Sequence, residues 1–269
     1  MTEAELLFTE ILNCDRATLY KKSAQPLTKF ESQKLSSVLK RRIAGEPLPY
    51  ILGKTEFMGF EFRVMPDVLI PRPETEILVE TACKYSHIAY RISHIVDILE
   101  LGTGSGCIAV SLAKLLPNAN ITATDISEKA LKIACYNAQL NNVSDKIKFI
   151  QSNLFTNYQL PFTNYDIIIS NPPYVASGEI ENLQPEIRYE PRIALDGGCG
   201  GLDFYRRIIA EAPHYLKENG FLIMEMGYSQ AEEIKNILKI SGNFEIIEVV
   251  KDYSQIERVI IAKRIGKNG

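Results

Sequence analysis

A seven-residue stretch, Glu100-Leu101-Gly102-Thr103-Gly104-Ser105-Gly106, constrains this chain more than any other. It stands between a mainly apolar run at 95–101 and a helical pattern at 106–116, so its glycines fall where a strand turns into a helix. Glycine lets the backbone turn sharply and approach a ligand closely. The first amides of a helix have no partner within it. The carboxyl-terminal part repeats this alternation. Strands are predicted at 119–124, 148–151, 165–170 and 221–226. Helices are predicted from Ser127, a good N-cap, to about 141, and then over 204–216 and 229–240. Continuous apolar strands alternating with helices specify an α/β fold around a mainly parallel sheet. The last two strands, 244–250 and 258–262, have little chain between them, so one should run antiparallel as a hairpin.

The first 45 residues have a different texture and read as a small helical bundle. Thr2 with Glu5 and Thr28 with Glu31 fit the capping-box pattern. Phe30, Leu35, Val38, Leu39 and Ile43 then recur at near-helical spacing until Gly45, Pro47 and Pro49 stop the helix. Residues 55–70 read as a β-connector, with Met58-Gly59 as the turn of a hairpin. A helix over about 75–86 opens the second part. The expected division is an amino-terminal helical domain with its connector at 1–72 and a second domain at 73–269.

Composition excludes several classes. Apolar residues make up 46% of the 269 and the net charge is −3, which fits a globular protein and gives no bulk support for holding nucleic acid by its phosphates. No uncharged apolar run is long enough for a membrane span. The opening MTEAELLFTEILNCD carries acids where a signal peptide carries Lys or Arg, so the expectation is a cytoplasmic protein. The five cysteines form no CxxC pair. His87, His94 and His214 do not cluster with them, so free thiols and no metal site are expected. Residues 21–42 hold seven basic residues and one acid, Glu31. A solvated helix face is the favoured account of them, and a docking surface for an acidic or RNA-bearing partner the alternative.

Three constellations carry chemistry. The dinucleotide fingerprint G-x-G-x-x-G needs glycine at 107, where Cys107 stands. The pattern here is G-x-G-x-G behind an acid, Glu100, which repels a diphosphate and suits a cationic amine. That favours the methionine end of S-adenosyl-L-methionine over NAD. Asp125, at the end of the second strand and about twenty residues on, can accept hydrogen bonds from ribose hydroxyls. The third is Asn171-Pro172-Pro173-Tyr174, directly after the strand at 165–170. A planar NH2 conjugated to a carbonyl or an aromatic ring is a poor nucleophile. The Asn171 side-chain oxygen and the Pro172 carbonyl can each accept one of its N–H bonds and hold the nitrogen in line with a sulfonium methyl. Two prolines stiffen the turn, and Tyr174 offers a flat packing face. The gain would come from positioning and preorganised dipoles, with no general base needed before transfer.

With these motifs the chain resembles the class I S-adenosylmethionine-dependent methyltransferases and, within them, the release factor glutamine methyltransferases. PLPYILG (47–53), IPRPETE (70–76), ELGTGSG (100–106), NPPY (171–174) and EPRIALDGGCGGL (190–202) look like that family's ordered landmarks. The resemblance implies a Rossmann-like seven-stranded catalytic domain behind a helical bundle and a β-hairpin connector. It also implies methyl transfer to the side-chain amide nitrogen of the glutamine in the Gly-Gly-Gln loop of peptide chain release factors. By the same resemblance, Gly102, Thr103, Gly104, Ser105 and Gly106 hold the methionine part of the cofactor and Asp125 holds the ribose. Asn153 and Leu154 lie beside the adenine, and Asn171, Pro172, Pro173 and Tyr174 bind the target glutamine. Two positions depart from the pattern. Glu100 stands where Asp is common, and Asn153 stands where an acid is common, although its oxygen can still accept from an adenine amino group. Arg72 and Glu74 are candidates for orienting the substrate loop, or belong to a hinge stiffened by Pro71 and Pro73. Residues 190–202 carry four glycines and are either a mobile lip over the substrate or only a loop before the helix at 204.

The competing enzymatic hypothesis is an amino-group methyltransferase acting on nucleic-acid bases, which uses the same Asn-Pro-Pro-Tyr chemistry. It predicts a basic groove and a target-recognition domain. The charge of −3 and the small bundle speak against it, and the basic stretch at 21–42 is its best support. A translation-factor binding module without turnover is disfavoured by the intact glycines, Asp125 and Asn171. A monomer is the default expectation.

Overall fold

The computed structural model describes residues 2–21, 24–93, 95–156, 160 and 165–266, with only the backbone of 90–93. His94, one of the three histidines, lies outside them, as does Lys22 of the basic stretch. The amino-terminal part comprises α1 (Glu3–Ile11), α2 (Arg16–Lys21), α3 (Lys29–Ile43) and the short α4 (Leu48–Leu52). Both capping boxes form: the Thr2 and Thr28 hydroxyls accept from the amides of Glu5 and Glu31, whose carboxylates accept the cap amides in return. Pro47 and Pro49 do not merely stop α3; they start α4, where a missing N–H is harmless. The apolar stripe of α3 is left uncovered, with Phe30 75% and Ile43 85% exposed.

The connector hairpin pairs β1 (Lys54–Phe57) with β2 (Phe60–Arg63). Met58 and Gly59 turn it with φ of 51° and 75°, as a two-residue turn with both central residues left-handed requires. Phe57 and Phe62 enter the main core, so the hairpin packs on the sheet domain.

Helix α5 runs over Pro73–Ser93, beyond the expected 75–86. It is followed by β3 (Val96–Leu101), α6 (Cys107–Leu115), β4 (Ala119–Asp125), α7 (Glu128–Leu140), β5 (Ile147–Gln151), β6 (Tyr165–Ser170), α8 (Asp203–Glu211), β7 (Leu216–Glu225), α9 (Ala231–Ser241), β8 (Phe244–Lys251) and β9 (Glu257–Arg264). α8 stops short of the expected 216, where a single 3-10 turn, Ala212–His214, takes over at Pro213. β7 begins five residues before the expected 221. Its polar start, Lys217-Glu218-Asn219-Gly220, hides a strand that tertiary pairing extends, with Leu216 opposite Tyr165.

Among the described residues the sheet has seven strands in the order β5-β4-β3-β6-β7-β9-β8. All neighbours are parallel except β9, which runs antiparallel to both β7 and β8 and so forms the expected hairpin. Side chains alternate between the two faces. Ile98, Ile167, Ile169 and Ile223 pack under α5, α6 and the hairpin. Leu99, Leu101, Ile168, Leu222 and Met224 pack on α8 and α9. Burying each such side chain contributes about 1.5–3 kcal/mol. The chain proceeds outward from β3 to β4 and β5, then returns to β6 beside β3. That reversal opens a crevice at the carboxyl ends of β3 and β6.

Candidate active site

The glycine-rich turn sits at this crevice. Gly102, Gly104 and Gly106 all have left-handed φ (75°, 55° and 80°). The amides of Gly102 and Thr103 both donate to the Thr124 carbonyl at 2.8 Å, which pins the turn to β4. A Cβ on Gly102 or Gly104 would point into open space, whereas on Gly106 it would come within 3.0 Å of the Ala134 Cβ. The first two glycines leave a cradle, and the third lets α7 press against the turn.

Glu100 lies beneath the turn, fully buried. Its Oε2 accepts from the Thr103 hydroxyl at 2.8 Å, while Oε1 has no hydrogen-bond partner among the described residues. Burial pushes its carboxyl up to about 8, against the pull of the Thr103 hydroxyl. Asp125 closes the other side. Its Oδ2 accepts from the Gly104 amide at 2.8 Å and its Oδ1 from the Ser127 amide at 2.9 Å, leaving each oxygen a further lone pair. Burial raises the Asp125 carboxyl above its ordinary range, and these amides oppose the rise.

A cavity of about 200 Å3 joins these groups to the third constellation. Gly102, Gly104, Asp125, Asn153, Leu154, Asn171, Pro172 and Pro173 all line it. Val68 and Leu69 of the connector, Ile193 and Ala194 of the 190–202 segment, and Phe204 and Arg207 of α8 also line it. Glu100, Thr103, Ser105 and Gly106 are not in the wall; they shape it from behind, and Tyr174 does not line it either. The Asn153 oxygen, expected to be free for an adenine, accepts from Arg207 Nη2 at 2.8 Å and keeps one lone pair.

The segment 190–202 is held against the Asn-Pro-Pro-Tyr turn by backbone bonds. Val175 donates to the Leu195 carbonyl at 3.0 Å, and Gly197 donates to the Val175 carbonyl at 2.8 Å. A Cβ on Gly197 would come within 2.6 Å of the Pro173 carbonyl, and one on Gly201 would strike that of Tyr174. Two of its four glycines are thus explained by close packing. Arg72 is half-buried and forms a 2.6 Å ion pair with Glu190, so it ties this segment to the start of α5. Glu74 is exposed; neither Arg72 nor Glu74 lines the cavity, though the charges of both reach the Tyr174 hydroxyl.

Two family models match the chain: PrmC N-terminal domain over residues 1–53 and Methyltransferase small domain over 75–198. A release factor glutamine methyltransferase of Fusobacterium nucleatum is 40% identical over 269 residues, covering 99% of this chain and 74% of that protein. Another, of Geobacter sulfurreducens, is 41% identical over 98% of this chain and 89% of that protein. The chain belongs to the release factor glutamine methyltransferase family. Among solved structures, a ribosomal protein L11 methylase from Lactobacillus delbrueckii subsp. bulgaricus matches with a TM-score of 0.54 at 20% identity, over 76% of this chain and 86% of that one. The N-terminal domain of human METTL16 in complex with SAH matches at 0.56 and 20%, over 78% and 77%. These two share the fold, which is the expected Rossmann-like methyltransferase architecture.

Within this family member, three side chains that the sequence did not single out help to build the site. Asn137 of α7, fully buried, donates from Nδ2 to the carbonyls of Ser105 (2.8 Å) and Arg63 (3.0 Å) and accepts the Arg63 amide at 2.8 Å. It locks the glycine turn to the hairpin. A polar residue on the buried face of a helix otherwise lined by Ala130, Ile133, Ala134 and Ala138 was the available signal. Thr75 accepts from Asn171 Nδ2 at 3.1 Å. Glu225 is buried at the end of β7, an acid between Met224 and Met226.

Proposed function

We propose that this chain methylates the side-chain amide nitrogen (N5) of the glutamine in the Gly-Gly-Gln motif of peptide chain release factors, using S-adenosyl-L-methionine and leaving S-adenosyl-L-homocysteine. The observation that carries the reading is one cavity shared by Gly104, Asp125 and the residues Asn171, Pro172 and Pro173 of the turn, in a chain matched along its length by release factor glutamine methyltransferases. The residues present fit the cofactor. Gly102 and Gly104 leave the space a Cβ would fill, and the unpartnered Glu100 oxygen suits a cationic amine nearby. Glu100, Gly102, Thr103, Gly104, Ser105, Gly106, Asp125, Asn153, Leu154 and Asn171 are the residues proposed to hold it. When bound, it supplies a methyl made electrophilic by its sulfonium.

Asn171 Oδ1 and the Pro172 carbonyl each accept an N–H of the target amide, and Tyr174 packs against its plane. That grip brings the nitrogen lone pair out of conjugation and aims it. With the cofactor held there, the nitrogen would take the methyl while the sulfonium sulfur kept the electron pair of the broken S–C bond, and the proton would leave the alkylated nitrogen for water. Pro173 stiffens the turn. Arg72 acts on substrate through the segment it anchors by Glu190, and Glu74 through charge at its rim. The proposed domains are 1–72 and 73–269, with the family-model boundaries at 53 and 75 in support. No helix among the described residues is long and apolar enough to cross a membrane. A translation factor as substrate supports a cytoplasmic site of action, and a monomer without specific nucleic-acid binding is proposed.

Transfer of labelled methyl to purified release factor tests the reaction, beside a copy with the loop glutamine changed to alanine and beside DNA and RNA. Label on the intact factor alone is expected. Label on nucleic acid alone would replace this reading with the base amino-methyltransferase.

A further inference from the structure

We infer that Gln230, at the start of α9, is a positioning residue for the acceptor turn. Its side-chain amide clamps the Tyr174 carbonyl to the turn between β7 and α9, and holds the end of the 190–202 segment in the same grip. The inference rests on the proposed reaction and deepens it by naming what fixes the turn where the chain leaves it.

The Gln230 amide is used at both ends. Its Oε1 accepts from the Gly227 amide at 3.0 Å. Its Nε2 donates to the Tyr174 carbonyl at 2.9 Å and, more weakly, to the Gly201 carbonyl at 3.4 Å. One backbone donor and two backbone acceptors decide which end of the amide is oxygen. Two glycines make the approach possible. A Cβ on Gly227 would stand 2.7 Å from Gln230 Oε1 and 2.9 Å from Tyr174 Cδ2, and one on Gly201 would stand 2.6 Å from Gln230 Nε2. Segments 56 and 29 positions away in the chain thus close on one side chain.

Helix capping does not account for Gln230. It occupies the N-cap of α9, yet its side chain makes no bond to the helix amides. Short side chains such as Ser, Thr, Asp and Asn serve that purpose. Gln230 reaches away from its own helix instead, to the acceptor turn.

The turn needs an outside anchor because Pro172 and Pro173 bring no N–H of their own. Gln230 supplies one at the first carbonyl beyond them. The peptide unit that joins Tyr174 to Val175 is then held at both ends: its carbonyl by Gln230 Nε2, and its N–H by the Leu195 carbonyl at 3.0 Å. A peptide is a rigid plane between soft dihedrals, so a plane fixed at both ends cannot swing. Pro173, with its locked φ, passes that constraint back to the Pro172 carbonyl, which is proposed to accept from the target amide. The Gly201 contact holds the segment just before Phe204, which lines the cavity. Cut the clamp and the acceptor carbonyl loses its aim, while the glycine turn and Asp125, on the other side of the cavity, keep theirs.

The test compares the full-length wild type with Gln230→Met, which keeps the length and removes the hydrogen bonds, and Gln230→Glu, which sets a carboxylate oxygen against two carbonyls. The readouts are kcat and KM for methyl transfer to release factor, cofactor affinity by calorimetry and the thermal midpoint, with kcat read at a temperature where each variant is folded. For Gln230→Met we expect kcat to fall about 10- to 100-fold, the scale of an acceptor misplaced by a fraction of an ångström to an ångström. KM for release factor should stay within about threefold and cofactor affinity within about twofold, the pattern of an interaction felt only in the transition state. Gln230→Glu should lose more than Gln230→Met. A purely structural tie would lower the midpoint and leave kcat of the folded protein at the wild-type value. That result, or a loss of cofactor affinity as large as the loss of kcat, overturns the inference.

A second readout does not use activity. Hydrogen exchange of the Val175 amide should speed up about tenfold in Gln230→Met, while that of the Gly104 amide, bonded to Asp125, should not change. An unmoved Val175 amide also overturns the inference. If Val175 responds but the wild type labels no release factor, the clamp on the turn stands and the assigned reaction falls.

Discussion

Each key side chain of the cavity does one physical task, and the tasks separate in measurement. If Asn171 holds the acceptor as proposed, Asn171→Ala should leave cofactor affinity nearly unchanged and lower turnover by about 100- to 1,000-fold, the scale of losing one preorganised partner. Calorimetry beside single-turnover labelling distinguishes the two effects. Asp125 should do the reverse. Its carboxylate already holds the Gly104 and Ser127 amides, and its remaining lone pairs face the cavity. Asp125→Ala should weaken cofactor binding by roughly 10- to 100-fold, since a hydrogen bond to a charged group is worth about 1.5–3 kcal/mol. An unchanged dissociation constant would remove Asp125 from the ribose.

Elements are held in place here by a few polar ties across apolar packing. The hairpin, α7 and the glycine turn meet at Asn137, and the 190–202 segment meets the start of α5 at the Arg72–Glu190 pair. Asn137→Leu keeps the volume but leaves the carbonyls of Ser105 and Arg63 and the Arg63 amide without that partner. It should cost about 1–3 kcal/mol of stability, read by denaturant unfolding, and loosen the cofactor as well because the turn loses its anchor. Equal affinity in the variant would show that the hairpin does not support the turn. At α3 the basic residues are less available than their number suggests. Arg41 pairs with Glu46, and Arg42 with both Glu3 and Glu186, so the latter joins the helical part to the segment beside the site.

Across the whole molecule, two buried acids make stability depend on pH in an unusual direction. Glu100 is pushed up to about 8 and Glu225 to about 7, from an ordinary 4.5. A raised carboxyl binds its proton more tightly folded than unfolded. Its contribution is therefore full below about 4.5 and is lost as pH rises through its folded value. Glu5, lowered to about 2 chiefly by the Tyr20 hydroxyl, works the other way and loses its contribution only in strong acid. The thermal midpoint of the ligand-free chain should accordingly decline from about pH 5 to pH 9, and Glu100→Gln should flatten the upper part of that decline. Differential scanning over this range checks it, and a wild-type midpoint that rises towards pH 9 would contradict it.

The order of elements, the parallel sheet, the closing hairpin, both capping boxes and the glycine turn were legible in the sequence, because each follows from local periodicity or from the backbone freedom of particular residues. Asn171, Asp125 and Gly104 were legible as well, since they sit at strand ends where an α/β sheet presents its ligands. Other features depended on tertiary structure. The early start of β7 comes from pairing with Tyr165, and the exposed stripe of α3 comes from what fails to cover it. Thr75 and Asn137 are distant in sequence from the groups they hold, by 96 and 32 positions from Asn171 and Ser105 respectively. Periodicity reports which face of an element is apolar. Which buried polar atom meets which depends on how strands far apart in the chain lie side by side, and that is decided only when the sheet closes.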